Sequence, residues 1–202
     1  MKVVEITKFV DEKLDVYRSS RGGTLTLPDL KSKFLEESAL QEVVFYFVFE
    51  SFRLKKLLTE IDRRLIQNVF SSLLQANTIF ALCLIADNVI KQKNSTQWKF
   101  LDHLKVLSSK SSLSLDDQKI GELNGTFKNN FSGALQSLLS SQYHFQDGTA
   151  PQPIEEDLAI TYGFRNFGAH KIEDQPVIYQ NINEISGRIL NALFFSIEKL
   201  YI

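Results

Sequence analysis

One long stretch with helical spacing constrains the fold more than any other feature. Between residues 63 and 92, apolar side chains recur at alternating steps of three and four, as on one buried face of a long helix. The chain contains only 9 Gly and 4 Pro in 202 residues, so turns are scarce and long helices are favoured over many short strands. We therefore predict an all-α fold. The seam is apolar except at Asp87, and its positions are Ile66, Val69, Leu73, Ala76, Phe80, Cys83, Asp87 and Ile90.

The residues before this seam predict further helices. Residues 2–19 carry apolar side chains at helical spacing, and a Gly-Gly pair and Pro28 separate them from the next expected helix. Ser38, with a glutamine three residues later, has the form of a capping box. The apolar run 43–49 could form a strand, but the helical period continues through residues 51–61, so we interpret the run as helix.

The residues after the seam predict four more helices, each with a recognisable start signal. One of them begins with an acidic first turn, which the helix dipole favours. Together with the seam they suggest a bundle of four to five core helices over residues 61–202, preceded by an N-terminal helical extension, residues 1–60. The expected N-terminal residues are Ser95 or Thr96, Ser114 (for a helix continuing to Leu138), Pro153 and Asn181.

Composition limits the classes of function. The net charge is −1, so the chain lacks the global basic field of a duplex-DNA binder, although a local basic patch remains compatible with that total. Cys83 is the single cysteine, which leaves no disulfide framework and no cysteine-based zinc site within one chain. The apolar runs of the chain fall short of the roughly 20 residues of a membrane helix, and the N-terminus has no signal-peptide pattern. We expect a soluble, cytoplasmic protein without cofactor or metal, with His103 and His144 in surface or loop positions.

The segment YGFRNFGAHKIED, residues 162–174, places an arginine on an apolar helical face. Arg165 follows Leu158 by seven residues, which leaves the two only about 20° out of phase. Asn166 lies on the adjacent edge of that face. Because an unpaired buried cation is very unfavourable, Arg165 must either meet a carboxylate or line a cleft that receives an anion.

His170 would lie about 140° from Arg165 on an unbroken helix. Gly168 suits a left-handed helix stop, which would let the chain bend so that His170 turns back toward Arg165. The segment therefore predicts a compact cationic corner. Asp87 could pair with Arg165, or hold His170 and raise its pKa.

The order Arg165-Asn166-Phe167-Gly168-Ala169-His170 resembles the ribonuclease signature of the HEPN (higher eukaryotes and prokaryotes nucleotide-binding) family. That signature is an arginine, a polar residue, a few further residues and a histidine. The context is similar as well, because the motif lies late in a helical bundle, near the end of the penultimate long helix. The resemblance covers about residues 63–202, and residues 1–60 resemble no family.

The resemblance implies a metal-independent endoribonuclease that works as a homodimer and leaves 2′,3′-cyclic phosphate ends. His170 would be the general acid/base, and Arg165 would stabilise charge on the phosphoryl oxygens. Asn166 would position the phosphate or orient the imidazole, and Asp87 is the further site residue. Such proteins serve in prokaryotic antiviral defence or toxin–antitoxin systems, which implies RNA as substrate and an antitoxin or defence-complex partner. Ile172 stands where antitoxin-modified family members carry a tyrosine, which disfavours that form of control.

Plainer interpretations stay open for each of these residues. Arg165 and Asp87 could form a structural salt bridge, and His170 could be a histidine favoured by the dipole at a helix C-terminus. Asn166 could be a polar residue at the rim of the helix. For the whole chain, the alternatives are a non-catalytic HEPN-like RNA-binding or regulatory module, and a structural bundle with an accidental motif.

Overall fold

The computed structural model describes residues 3–34, 36–48, 69–94, 99–168 and 176–202. Every regular element within these ranges is a helix, which confirms the predicted all-α class. None of these helices combines the length and the apolar character that a bilayer crossing requires. In chain order the helices are α1 (Val3–Arg21), α2 (Leu27–Phe34), α3 (residues 38–48), α4 (Val69–Lys93), α5 (Phe100–Ser109), α6 (Asp117–Asn129), α7 (Phe131–Leu139), α8 (Pro153–Asn166), α9 (Pro176–Gln180) and α10 (Ile182–Tyr201).

Helix α8 lies at the centre of the bundle and contacts α4, α5, α6, α7 and α10. It is buried on all sides from Ile154 to Phe164, so its apolar and polar positions alike face protein. The long helices α4 and α10 pack against each other and against α8. Only the last turn of α8, at Arg165 and Asn166, reaches the surface again.

The seam expected in residues 63–92 forms the inner face of α4 where the structure describes side chains. Cys83, Asp87 and Ile90 are all buried, whereas Phe80 is half-buried. The interpretation of the run 43–49 as helix is confirmed for residues 43–48, which belong to α3. Residues 49–68, which include the first seam position, Ile66, lie outside the described residues.

The predicted single helix from Ser114 to Leu138 is wrong in two respects. Asp116, not Ser114, caps α6, with its carboxylate accepting a hydrogen bond from the Lys119 amide at 2.8 Å. Asn130 then ends α6 and caps α7 by accepting from the Gly133 amide. An asparagine side chain that satisfies a free N–H starts a new helix at little energetic cost, and the helical period alone does not reveal it. The inward positions proposed for this segment are nevertheless buried: Ile120, Leu123, Phe127, Phe131, Ala134 and Leu138.

The other expected helix starts differ in outcome. Helix α5 begins at Phe100 with Lys99 as its N-cap, so neither Ser95 nor Thr96 caps it. Asn181 does occupy the N-cap position of α10, as predicted, although its side chain makes no capping hydrogen bond and donates instead to the Val177 carbonyl at 2.8 Å. Helix α8 does begin at Pro153, as predicted.

The first turn of α8 carries acidic side chains that are buried. Asp157 is fully buried and lies between Arg21 of α1 and Arg188 of α10, with an Arg21 Nε to Asp157 Oδ2 distance of 2.5 Å. Arg188 also reaches Glu156 at 2.9 Å. These carboxylates therefore do more than complement the helix dipole, because they join α8 to the N-terminal and C-terminal helices.

The N-terminal helices pack directly against the bundle. Tyr17 of α1 donates a hydrogen bond to Glu198 of α10, and its ring lies 5.8 Å from that of Phe194. The same Glu198 carboxylate accepts from the backbone amides of Thr24 and Leu25. The boundary proposed near residue 60 lies outside the described residues, so the division into 1–60 and 61–202 stays a prediction.

Candidate functional site

Arg165 leaves the buried part of α8 at its last turn, where its side chain is 38% exposed. The guanidinium points back toward α4. Its Nε and Nη2 atoms each lie 3.3 Å from Oδ2 of Asp87. The carboxylate expected to partner this arginine is therefore in place, and it comes from the one polar position of the α4 seam.

Asp87 has a second neighbour on α5. Nδ1 of His103 lies 3.0 Å from Oδ1 of Asp87, and the imidazole is fully buried. The two atoms are close but poorly aligned for a hydrogen bond. Because an ionised carboxylate only accepts hydrogen bonds, Nδ1 is the side of the contact that can donate. Three helices thus contribute one side chain each to a connected group, which we call the Asp87 cluster: Asp87 of α4, His103 of α5 and Arg165 of α8.

The electrostatics of the cluster favour an ionised Asp87. Burial raises the pKa of this carboxyl, but the hydrogen bond from His103 and the positive charge of Arg165 outweigh burial and hold the pKa below its ordinary range. Cys83, one turn earlier on α4, is fully buried, and burial raises the pKa of its thiol. The ionised group next to Arg165 is therefore the carboxylate rather than the thiol.

The burial of His103 contradicts the expected surface or loop position. The sequence did contain a signal for it, because His103 directly precedes Leu104 and lies one turn before Leu107, both on the inner face of α5. A polar residue on that face needs a partner, and Asp87 supplies it. His144, in contrast, is exposed in the α7–α8 loop, as expected.

Asn166 is exposed at the end of α8. A hydrogen bond with the Asn166 side chain lowers the pKa of the Tyr162 phenol, although burial raises it by more. The Tyr162 hydroxyl also donates to Asn124 of α6. Asn166 therefore follows Arg165 in the sequence, but its side chain is connected to α6 through Tyr162.

Gly168 does not form the left-handed stop that the sequence suggested. Helix α8 ends with Phe167 as C-cap, and the positive-φ glycines of the described residues are Gly22 and Gly148. A side chain at position 168 would instead be obstructed, since an added Cβ would lie 2.8 Å from Cδ1 of Phe164. The need for glycine thus comes from a close approach to an aromatic ring and not from backbone conformation.

His170 lies outside the described residues, so the proposed approach of its imidazole to Arg165 stays a prediction. The structure brings Arg165 and Asp87 together and adds His103, whereas Asn166 is exposed on the last turn of α8 and its side chain contacts Tyr162. Within the described ranges, no group of three or more His, Cys, Asp or Glu side chains is arranged to hold a metal ion.

The chemical capacity of this arrangement is that of an anion site. Every hydrogen bond from the Arg165 side chain to a described residue uses Nε or Nη2. The Nη1 edge has no partner among those residues, and the Arg165 side chain as a whole is partly exposed. A guanidinium held along one edge by a carboxylate presents its remaining donors in a defined direction, which suits a phosphate oxygen.

Comparison of the chain with protein-family models, with curated proteins and with solved structures finds no match.

Proposed function

We propose that this chain is a HEPN-like endoribonuclease that cuts RNA without a metal ion and acts as a homodimer. The single observation that carries the proposal is the placement of Arg165. It sits at the exposed end of an otherwise buried helix, held by Asp87, and it opens the motif that continues through Asn166 to His170. An all-helical bundle surrounds it, as the resemblance requires.

The proposed reaction is an attack of the ribose 2′-OH on the adjacent phosphate. The bond to the 5′-oxygen of the next nucleotide breaks, which leaves a 2′,3′-cyclic phosphate and a 5′-OH. His170 transfers the proton, because an imidazole with an ordinary pKa of about 6.5 titrates near neutral pH. Arg165 stabilises the charge on the phosphoryl oxygens with the donors that Asp87 leaves open.

A second copy of the chain completes the proposed site. One chain contributes one motif histidine, whereas this reaction uses both a base and an acid, so a twofold dimer supplies the second imidazole. The proposed setting is the cytoplasm of a prokaryote, in antiviral defence or toxin–antitoxin growth arrest, with an antitoxin or defence-complex protein as regulatory partner. No cofactor takes part.

The test is cleavage of labelled RNA by purified protein in the presence of EDTA. We expect the wild type to cleave and both Arg165→Ala and His170→Ala to lose activity by a factor of at least about 100. Matched controls are Arg18→Ala, a partly exposed arginine paired with Asp15, and His144→Ala, an exposed loop histidine. Both controls should cleave like the wild type. Activity that requires added metal, or that survives both motif substitutions, excludes the proposal.

The alternative is a non-catalytic HEPN-like RNA-binding or regulatory module. It is favoured by the engagement of two Arg165 nitrogen atoms with Asp87, which is also what a purely structural ion pair would show. RNA binding that weakens in Arg165→Ala, without cleavage by the wild type, would select this module. An absence of both binding and cleavage would leave a structural bundle.

A further inference from the structure

The Asp87 carboxylate is constrained from two sides. Oδ2 faces the guanidinium of Arg165, and Oδ1 faces the imidazole of His103. Oδ1 of Asp87 and Nδ1 of His103 are both buried and lie 3.0 Å apart, close but poorly aligned, and neither atom has a well-aligned hydrogen bond to another described residue. The imidazole is therefore the polar group that partly compensates the burial of Oδ1. With one neighbour on each oxygen, the plane of the carboxylate has a single favourable orientation.

The orientation of Asp87 determines the orientation of Arg165. The arginine side chain has several rotatable bonds and is partly exposed, so it would sample several rotamers without its partner. Both of its contacts converge on Oδ2 of Asp87, and Asp87 in turn contacts His103. Each link is a direct polar contact, and the imidazole of His103 is fully buried.

We propose that His103 is a positioning residue, which fixes the Asp87 carboxylate and through it the direction in which Arg165 presents its donors. The inference rests on the proposed function of the Arg165 site. It adds to that site a buried residue, outside the Arg165–His170 motif, that holds the partner of Arg165 in place. A leucine at position 103 would fill a similar volume but leave Oδ1 without a donor. The carboxylate would then turn or recruit water, and the guanidinium would lose its fixed direction.

The experiment compares three substitutions that differ in where they place a donor. The amide nitrogen of His103→Asn takes the place of Nδ1, and that of His103→Gln takes the place of Nε2, while His103→Leu has no donor. We expect His103→Asn to keep kcat/KM for RNA cleavage within about threefold of the wild type. His103→Leu and His103→Gln should lose about tenfold or more, the equivalent of one hydrogen bond in the transition state.

A spectroscopic readout follows the guanidinium independently of catalysis. The Nε–H resonance of Arg165 in a ¹⁵N-correlated NMR spectrum, assigned with Arg165→Lys, should be resolved in the wild type because Asp87 holds that proton. It should persist in His103→Asn and broaden or disappear in His103→Gln and His103→Leu. Circular dichroism checks that each variant is folded, and if His103→Leu does not fold, the pair of Asn and Gln variants decides alone.

The outcomes separate this inference from the proposed nuclease. A wild type that never cleaves RNA removes the proposed function, yet the Nε–H signal still tests the support of Arg165 by His103. An unchanged signal and unchanged kcat/KM in His103→Gln overturn the inference. Equal losses in the Asn and Gln variants also overturn it, because the imidazole would then matter through its packing alone.

Discussion

The attachment of α1 to the bundle offers the strongest quantitative prediction. Arg21 forms two hydrogen bonds with Asp157, from Nε at 2.5 Å and from Nη2 at 3.0 Å. The arginine side chain is 12% exposed and the aspartate side chain is completely buried. Arg21→Met keeps most of the aliphatic stem and removes the charge, so it isolates the ionic contribution of this contact.

The expected loss of unfolding free energy depends on the partners that Asp157 keeps in the variant. Removal of one partner from a buried ion pair destabilises a protein by about 3 to 5 kcal/mol. Arg188 still lies 3.2 Å from Asp157 in the variant, which lowers the expected loss to about 2 to 4 kcal/mol. In a chain of this size that loss corresponds to a fall in Tm of about 4 to 16 °C.

The assay is urea unfolding followed by circular dichroism at pH 7, with Arg18→Met as matched control. Arg18 lies on the same helix, pairs with carboxylates whose side chains are 51% and 66% exposed, and donates to the Leu25 carbonyl at 2.9 Å. Its loss should therefore be about 1 kcal/mol, most of it from that hydrogen bond. If the two variants differ by less than about 0.5 kcal/mol, the buried contact does not contribute as argued.

The pH dependence gives a second check on the same variant. Burial raises the pKa of Asp157 above its ordinary value, and the charges of Arg21 and Arg188 oppose that rise. Loss of Arg21 therefore raises the pKa further. A carboxyl with a raised folded-state pKa gains folding stability as pH falls toward that pKa, because the folded state then binds the proton more strongly. The deficit of Arg21→Met relative to Arg18→Met should consequently shrink as the pH falls from 7 toward the raised pKa of Asp157.

Three further predictions concern the interior. The pKa of Asp87 lies below its ordinary 3.8, so ionised Asp87 adds folding stability that is lost as pH falls through the lowered pKa. The variant Asp87→Asn lacks this titration, so its unfolding free energy should depend less on pH below about 4. Gly163→Ala would press a methyl group into the buried Phe127 ring and should destabilise the protein by about 1 to 3 kcal/mol in urea unfolding. The control is Gly187→Ala in α10, where an added methyl group meets no neighbour and should not destabilise the protein. Tyr201→Phe removes a buried hydrogen bond to the Val89 carbonyl and should lower the unfolding free energy by about 1 to 2 kcal/mol.

The positions of most helices follow from the sequence because apolar spacing reports which face meets the core. The periods in residues 2–19 and 63–92 predict α1 and the described part of α4 in this way. Periodicity does not report where a side chain satisfies a backbone group, so it missed Asn130, which divides one expected helix into α6 and α7.

The candidate site shows the same limit at the level of single residues. An arginine on an apolar stripe requires a carboxylate, and Asp87 was identifiable as the polar interruption of the seam that could meet it. The role of His103 depends on the packing of α5 against α4, which no local pattern encodes. Gly168 was assigned a turn because glycine permits positive φ, whereas the actual constraint is the Phe164 ring.

Acidic residues in a first helical turn are equally ambiguous. The helix dipole favours them whether they face solvent or protein, so the acidic pattern at the start of α8 does not reveal that Asp157 is buried. Its partner Arg21 lies 136 residues earlier in the chain. The burial of such a group becomes visible only when the two segments meet in three dimensions.

The contacts of Glu198 have a consequence for biosynthesis. Its carboxylate receives hydrogen bonds from Tyr17 and Thr24, which are separated from it by 181 and 174 residues. During translation the N-terminal helix therefore leaves the ribosome long before its acceptor exists, with its apolar side chains still unpaired. Contacts at such long range slow folding and leave the nascent chain prone to aggregation. Chaperone dependence should accordingly fall once the last turn of α10 has emerged from the ribosome.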